Sequence, residues 1–287
     1  MASVALRWAK ANKREAFHNP YNARMATSGH SSSLRIVTWN IHKGVRGFSF
    51  RKRLEIHAMQ AAIARLDADV ICLQEVRRIN HKEAAHFTQW PTLPQADFLA
   101  PSGYEAAYRT NAFTRHGEHG NALLSRYPIA QVLHEDMSDH RFEQRGLLHA
   151  KLDAQGRALH MIVVHLGLIA SSRQRQLKQL SDYIAREIPP AAAIVVAGDF
   201  NSPIAPARWA RSALANKPVK KMPLLHDLKG HATFPSRLPL VQLDHVFARG
   251  LRIAHQQVPS GKEWASMSDH LPLICELEWD REGEDAA

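Results

Sequence analysis

The stretch VVAGDFNSP, Val195 to Pro203, begins as an apolar run and ends on an acid and an amide, Asp199 and Asn201. Residues i and i+2 of an extended strand point to the same face, so these two side chains would project together if the strand continues through both. A turn that ends a buried strand is the alternative interpretation, because Asp and Asn side chains readily hydrogen-bond the nearby backbone. The rest of the chain decides between a turn and a site.

Short apolar runs of this kind recur along the chain and predict strands. They are LRIVTWNI (34–41), DVICLQEV (69–76), NALLSRYPI (121–129), GLLHAKLD (146–153), HMIVVHLGL (160–168), AIVVAGDF (193–200), LDHVFA (243–248) and LPLICELEW (271–279). Apolar residues at helical spacing predict amphipathic helices over 56–66 and 177–188, the second with Ser171 or Ser172 as its N-cap. Many strands with few helices favour a mixed sheet over a purely parallel one. The stretches 77–120 and 202–240 are predicted to be long surface excursions.

Length and composition favour one α/β domain. The 287 residues are enough for a domain of about 250 residues, here predicted over 34–279, with a basic, disordered tail over 1–33 and an acidic tail over 280–287. The net charge of +10 suits an anionic substrate, although it also serves solubility alone. We expect a monomer.

The sequence favours a reducing, cytoplasmic location. No apolar run reaches the ~20 residues of a membrane-spanning helix, and residues 1–33 lack the apolar block of a secretory signal. The only cysteines, Cys72 and Cys275, lie inside apolar runs and are predicted to be reduced core residues. No Cys/His spacing typical of zinc sites is present.

Polar side chains that can bind metal or transfer protons follow several of the predicted strands. They are Asn40, Glu75, His165, Asp199, Asn201, Asp244, Asp269 and His270. Each alone has an ordinary explanation: Asn40 could simply end a strand, Glu75 could pair with an arginine, and His165 is one of 18 histidines. Their coincidence at strand ends predicts a catalytic site.

The mixture of residue types indicates phosphoester chemistry. Mg²⁺ prefers oxygen ligands and is commonly held by one or two carboxylates plus substrate phosphate. Glu75 with Asn40 could supply the protein ligands of such a site. Hydrolysis of a phosphodiester also needs a positioned water, a proton acceptor and a group that stabilises the leaving oxygen. The candidates for these roles are Asp244, His270, Asp199 and His165. The sequence contains neither a GxSxG elbow nor a P-loop.

The ordered motifs TWNIHKG, ICLQEV, GNALLSRYPI, VVHLGL, VVAGDFNSP, LDHVFA and SDHLPL resemble those of the endonuclease/exonuclease/phosphatase superfamily over about residues 34–279. The stretches HGNALLSRYPI and TFPSRLPLVQLDHVF further resemble an uncharacterised bacterial branch of it. The resemblance implies a four-layer α/β/β/α sandwich of the deoxyribonuclease I-like type. It places the site where the strand-end loops of the two sheets meet.

The resemblance also implies roles for the residues at matching positions. Glu75 would be the main ligand of a Mg²⁺ ion, with Mn²⁺ as the alternative. Asn40 would lie beside metal and phosphate, and Asp269 would lie at the edge of the metal.

The same resemblance assigns the groups that act on water and phosphate. Asp199 and Asn201 would orient the attacking water and the phosphate, and Asp244 would fix and charge-stabilise His270. His165 would act as general acid or phosphate binder, and Arg145 would contact phosphate. Family members differ in the group that activates water, so Asp199 and His270 are alternatives for this role.

Some positions depart from the patterns of particular subfamilies. His42 stands where AP endonucleases place an acid, on the same strand face as Asn40 by alternation, which argues against a close AP endonuclease. The acid that partners the counterpart of His165 in deoxyribonuclease I has no clear equivalent, and Glu118 is the candidate.

Two classes of function follow. The first is a metal-dependent phosphodiesterase or endonuclease acting on nucleic acid, with a phospholipid or a small phosphodiester as the alternative substrate. The second is a non-catalytic module on the same fold that binds nucleic acid or an anionic membrane. The chain keeps Glu75, Asp199, Asp244 and His270, and this retention favours the enzyme.

Overall fold

The computed structural model describes residues 33–47, 51–140, 142–214 and 231–280. The tails predicted over 1–33 and 280–287 therefore lie outside the described residues, apart from Ser33 and Asp280. No helix within the described ranges is both long and apolar enough to cross a membrane.

The described residues form thirteen strands and six α-helices. In chain order these are β1 Ser33–Asn40, β2 Val45–Arg46, β3 Arg53–Leu54, α1 Ile56–Leu66, β4 Val70–Asn80, α2 His81–His86, α3 Gln95–Leu99, β5 Glu105–Thr114, β6 Gly117–Ser125, β7 Ile129–Asp136, β8 Gly146–Ala154, β9 Arg157–His165, α4 Ala170–Glu187, β10 Ala193–Asp199, α5 Ala205–Ala213, β11 Asp244–Arg249, β12 Leu251–Gln257, α6 Lys262–Met267 and β13 Leu273–Trp279.

Most strands belong to two mixed sheets. One has the order β12-β13-β1-β4-β6-β5 and the other the order β11-β10-β9-β8-β7, while β2 and β3 form a separate ribbon. The pairs β1–β4 and β9–β10 are parallel, and their neighbours in both sheets are antiparallel. The predicted mixed architecture is confirmed.

Alternation along the strands produces the layers. In β1, Leu34 and Ile36 face the second sheet, whereas Val37 and Trp39 face helix α1 and its neighbours. Both faces are apolar because each is covered. Three buried clusters result, one between the sheets and one between each sheet and its helices, which gives the predicted α/β/β/α sandwich.

The carboxyl ends of β1, β4, β9 and β10 lie at one end of the sandwich, which we call the upper end. Asn40, the last residue of β1, contacts Asp199, the last residue of β10, across the two sheets. The opposite, lower end carries the turns that lead into β4, β9 and β12.

Some local predictions are wrong. Helix α4 begins at Ala170, and the Ser172 hydroxyl donates to Asp139 rather than capping the helix. The stretch 77–120 is not an excursion, since it contains α2, α3, β5 and β6. The stretch 202–240 contains α5, and residues 215–230 of it lie outside the described part of the chain.

Candidate active site

Asp199, at the end of β10, is a buried carboxylate on which three polar side chains converge. Its Oδ2 accepts a hydrogen bond from Nδ2 of Asn40 at 3.1 Å and lies 3.5 Å from Nε2 of His165 and 3.7 Å from Nε2 of His270. The strand register pairs Asp199 with His165 on one side and with Asp244 on the other. The sheets therefore bring these five predicted residues into one cluster.

Asp244 and His270 form a buried pair. Oδ2 of Asp244 lies 2.8 Å from Nδ1 of His270, and each residue is at most 5% exposed. The backbone carbonyl of His270 accepts a hydrogen bond from the indole of Trp39, and the imidazole packs 4.9 Å from the ring of Phe234. Asp244 thus holds one ring nitrogen of His270, Phe234 packs against the ring, and Trp39 holds the backbone of the residue.

The two histidines beside Asp199 carry different charges at neutral pH. Burial lowers the pKa of His270, but the adjacent Asp244 carboxylate outweighs it and raises the pKa to about 10. Burial also lowers the pKa of His165, and with the positive charge of Arg145 it brings that pKa to about 4. The site therefore holds an imidazolium at 270 and a neutral imidazole at 165.

The pKa of Asp199 is raised, chiefly because burial disfavours its charged form. The charges of His165 and His270 oppose this shift. A raised pKa makes the carboxylate a stronger proton acceptor than an exposed aspartate.

Asn201 does not share a strand face with Asp199, contrary to the prediction from alternation. Strand β10 ends at Asp199, and Asn201 has a left-handed backbone with φ of 49°. Its backbone N–H donates to Oδ1 of Asp199 at 2.9 Å, and its side-chain amide donates to the carbonyl of Leu166 at 2.8 Å. This is the alternative interpretation, a turn, although the turn lies within the site.

Arg145 lies at the edge of the same cluster. Its Nε donates to the Leu166 carbonyl at 3.2 Å, and its Nη2 lies 3.1 Å from Oε1 of Glu143. The guanidinium is half-buried near His165, whose pKa it lowers. Arg145 and Asn201 thus share one carbonyl at the end of β9.

A bulge in β4 sets the direction of the Glu75 side chain. The pairing of β4 with β6 shifts register between Leu73 and Val76, and Glu75 has φ of 57°. Its carboxylate is paired with Lys43, whose Nζ lies 2.8 Å from Oε2, and not with an arginine. Burial alone would raise the pKa of Glu75, but the charge of Lys43, followed by those of His165 and His42, lowers it.

The residues after β1 form a tight left-handed turn. His42, Lys43 and Gly44 have φ of 45°, 62° and 69°, so alternation does not extend to His42 and its predicted strand face is wrong. Nδ1 of His42 lies 3.2 Å from Oδ1 of Asp269, and the His42 N–H donates to Oδ1 of Asn40 at 3.0 Å. A Cβ at Gly44 would lie 2.8 Å from Ile56 Cδ1, so the turn requires glycine there.

Asp269 is tied to the first sheet through its neighbour. The Ser268 hydroxyl donates to the Asn40 carbonyl at 2.7 Å, and the backbone N–H of Ser236 donates to the Asp269 carbonyl at 2.7 Å. The ring of His42 supplies the hydrogen bond and charge that lower the pKa of Asp269 against the opposing effect of burial. This carboxylate is therefore ionised at neutral pH.

Two groups of acidic side chains in the cluster differ in how their charges are already compensated. One ligand atom each from Asp199, Asp244 and His270 lies within 4.8 Å of the others, but Asp244 and His270 already satisfy one another. Glu75 and Asp269 are ionised carboxylates. Glu75 is paired with the Lys43 amine, and Asp269 lies next to the His42 ring. Carboxylate and amide oxygens such as these are the ligand type that a hard divalent cation prefers.

A cavity of about 220 Å³ adjoins the Lys43–Glu75 pair. Its basic or imidazole lining residues are Lys43, Arg77, Lys82, His116 and His119, and its acidic ones are Glu83 and Glu118. Glu118, the candidate acid partner of His165, lies 3.9 Å from Arg78 instead. The carboxylate next to His165 is that of Asp199. Two of the cavity's cations already face carboxylates, Lys43 that of Glu75 and Arg77 that of Glu83.

Sequence reasoning did not identify Lys43 and Ser268 as site residues. Lys43 follows Asn40 by three positions and precedes a glycine, which indicates a turn. The sequence does not indicate which carboxylate the amine of Lys43 pairs with. Ser268 begins the SDH motif, where its hydroxyl has no distinguishing pattern.

A sequence model of the Endonuclease/Exonuclease/phosphatase family matches residues 37–270. The chain belongs to this family, and its sandwich is the deoxyribonuclease I-like fold. It is accordingly a phosphoester hydrolase by family, and such enzymes generally use a divalent metal.

The chain is similar to one curated relative and to two solved structures over most of its length. The Uncharacterized protein YbhP of Escherichia coli (strain K12) is 34% identical over 254 residues, covering 85% of this chain and 96% of that protein. The endonuclease/exonuclease/phosphatase structure from Bacteroides vulgatus has a TM-score of 0.64 at 17% identity, covering 86% and 99% of the two chains. The human Nocturnin catalytic domain with bound sulfate has a TM-score of 0.58 at 18% identity, covering 87% and 95%. At these identities the two structures show the fold alone.

Proposed function

We propose that this chain is a Mg²⁺-dependent phosphodiesterase, with Mn²⁺ as an alternative metal, in which Asp199 activates water and protonated His270 stabilises the phosphate charge. The supporting observation is the arrangement of one buried carboxylate between an imidazolium and a neutral imidazole. A group with a pKa of about 10 is already protonated at neutral pH and cannot take a proton from water. This favours Asp199 over His270 as the base.

The other side chains position these two groups. The Asn40 amide holds Oδ2 of Asp199, and the Asn201 backbone N–H holds its Oδ1, so the carboxylate has a fixed orientation. Asp244 keeps His270 protonated and oriented. His165, which is neutral, is better suited to bind phosphate by a hydrogen bond than to act as a general acid.

Glu75, Asp269 and Asn40 would hold the metal, which supplies positive charge to a phosphate oxygen when bound. Arg145, half-buried beside the Leu166 carbonyl, adds a second positive charge near the phosphate. A diester in nucleic acid and a diester in phospholipid both satisfy this chemistry, and the nuclease function expected from sequence stays a prediction.

Turnover of bis(p-nitrophenyl) phosphate and of p-nitrophenyl phosphate, each with Mg²⁺, Mn²⁺ or EDTA, tests the proposal. We expect hydrolysis of the diester, a much slower reaction of the monoester and loss of both with EDTA. Asp199→Asn should abolish the diester activity while the protein remains folded. Activity that survives EDTA and exhaustive chelation, or no diester hydrolysis with either metal, would overturn the proposal.

A further inference from the structure

Six large apolar side chains are the most exposed of their kind among the described residues. They are Phe142 at 81%, Phe113 at 71%, Leu240 at 70%, Leu168 at 69%, Leu238 at 65% and Ile204 at 63% exposure. We call them the apolar crown. Large apolar side chains concentrated on one surface of a protein commonly mark an interaction site, whereas isolated ones need no explanation.

Five of the six lie on loops of the upper end, and Phe113 lies near the end of β5 at the same end. Contacts tie these segments to the site. Phe113 lies in the β5–β6 hairpin, and its backbone N–H donates to the side chain of Gln144 at 2.8 Å, next to Arg145. Phe142 precedes Glu143, whose carboxylate accepts from the backbone of Leu168 at 2.9 Å and from Arg145. These three segments therefore meet beside Arg145.

The remaining crown residues follow or precede other site residues. Ile204 comes three positions after Asn201. Leu238 and Leu240 lie in the turn closed by the bridge between Phe234 and Val241, and the ring of Phe234 packs against His270. The crown residues thus lie next to site residues in sequence or on segments that contact them.

The lower end is different. Its turns include Asp67–Asp69, Gln155–Gly156 and Arg249–Gly250, which are polar. None of the exposed large apolar side chains in the described ranges lies in these turns. The concentration of apolar residues at the upper end is therefore not a general property of the surface.

Exposed arginines accompany the crown. Arg115 is two residues from Phe113, Arg208 is four from Ile204, and Arg237 precedes Leu238; all three are exposed. Within the described residues none of the three forms an ion pair. The combination of apolar tips with unpaired cations is typical of surfaces that insert into the interface of an anionic bilayer.

We propose that the apolar crown docks on an anionic phospholipid bilayer and presents a lipid headgroup diester to the site. This inference rests on the proposed phosphodiesterase function and names its substrate class. Aliphatic side chains such as Leu168 and Leu240 gain little from a polynucleotide backbone, which is recognised by cations and by stacking on aromatic rings. At a bilayer the same side chains are transferred from water to the boundary between headgroups and acyl chains, which is favourable for apolar groups.

Vesicle cosedimentation of the full chain in EDTA tests docking without turnover. We expect binding to vesicles of phosphatidylglycerol and phosphatidylcholine (1:1) and about tenfold weaker binding to pure phosphatidylcholine. The variant Phe142→Ser/Leu168→Ser/Leu240→Ser should lose about tenfold or more in affinity for the anionic vesicles, yet hydrolyse bis(p-nitrophenyl) phosphate at the parent rate. Leu93→Ser, which removes an exposed leucine from the loop before α3, is the matched control and should bind like the parent.

Several results would overturn the inference. These are absence of binding to the anionic vesicles, equal binding by the crown variant, or an equal loss in the Leu93 control. Plasmid DNA that displaces the protein from vesicles and binds the crown variant as tightly as the parent would instead favour nucleic acid. Failure of the two proposals is distinguishable: vesicle binding without diester hydrolysis removes the proposed function, and hydrolysis without vesicle binding removes this inference.

Discussion

Nδ1 of His270 lies 2.8 Å from Oδ2 of Asp244, while Nε2 of the same ring faces Asp199 at 3.7 Å. One carboxylate therefore sets the charge of the imidazole, and the other lies opposite its free nitrogen. This arrangement keeps His270 in its protonated form.

The pH dependence of Asp244→Asn distinguishes the roles of His270. If the protonated ring is required, kcat/KM falls as pH rises through its pKa of about 10. Loss of the Asp244 charge lowers that pKa, so the alkaline limb should move to lower pH by more than about one unit. The profile is measured on a soluble diester at saturating Mg²⁺. An acidic limb that moves instead would show that neutral His270 is the base.

The same pair makes a prediction about stability. The pKa of His270 is about 10 in the folded chain, above the ~6.5 of an unfolded histidine. Its contribution is therefore fully present below pH ~6.5 and is lost as pH rises toward 10. Urea unfolding at pH 6, 8 and 10 should show a steeper decline for the parent than for His270→Gln. Parallel declines in the two proteins would argue against a strong pair.

The layers of the fold were predictable because alternation is visible in the central strands. Leu34 and Ile36 lie on one face of β1, and Val37 and Trp39 lie on the other. Because both faces are apolar, the sheet must be covered on both sides. The edge strands β7 and β12, with sequences IAQVLHED and LRIAHQQ, were not predicted. Among the described residues no strand pairs with one long side of each, so their patterns are weakly apolar.

The site was predictable only in part. The resemblance placed Asn40, Asp199, Asp244 and His270 in one constellation, whereas the residues alone gave only polar strand ends. The contact between Lys43 and Glu75 depends on a left-handed turn and on a bulge, and both interrupt the period of two on which strand arguments rest. The left-handed backbone at Asn201 likewise ends the period of two, so the turn is the correct one of the two interpretations of VVAGDFNSP.

Glu75→Gln should lower diester turnover by about 100-fold or more, because it removes a ligand charge while keeping the shape of the side chain. A Mg²⁺ titration should also show a higher half-saturating concentration. Glu118→Gln is the matched control, since Glu118 lies 3.9 Å from Arg78 and is not part of the metal donor set. Turnover and Mg²⁺ dependence like those of the parent would remove Glu75 from the metal site.

Lys43→Gln addresses the counter-ion of Glu75. The amine of Lys43 lies 2.8 Å from a carboxylate whose side chain is only 17% exposed, so its removal leaves a largely buried negative charge without its partner. In EDTA the variant should therefore melt at a lower temperature than the parent. A bound cation would replace the lost charge, so saturating Mg²⁺ should raise the melting temperature of the variant more than that of the parent. Lys43→Arg keeps both the charge and the left-handed backbone position, and its response to Mg²⁺ should resemble that of the parent. Equal Mg²⁺-induced increases in the Gln variant and the parent would show that the metal does not bind where Lys43 meets Glu75.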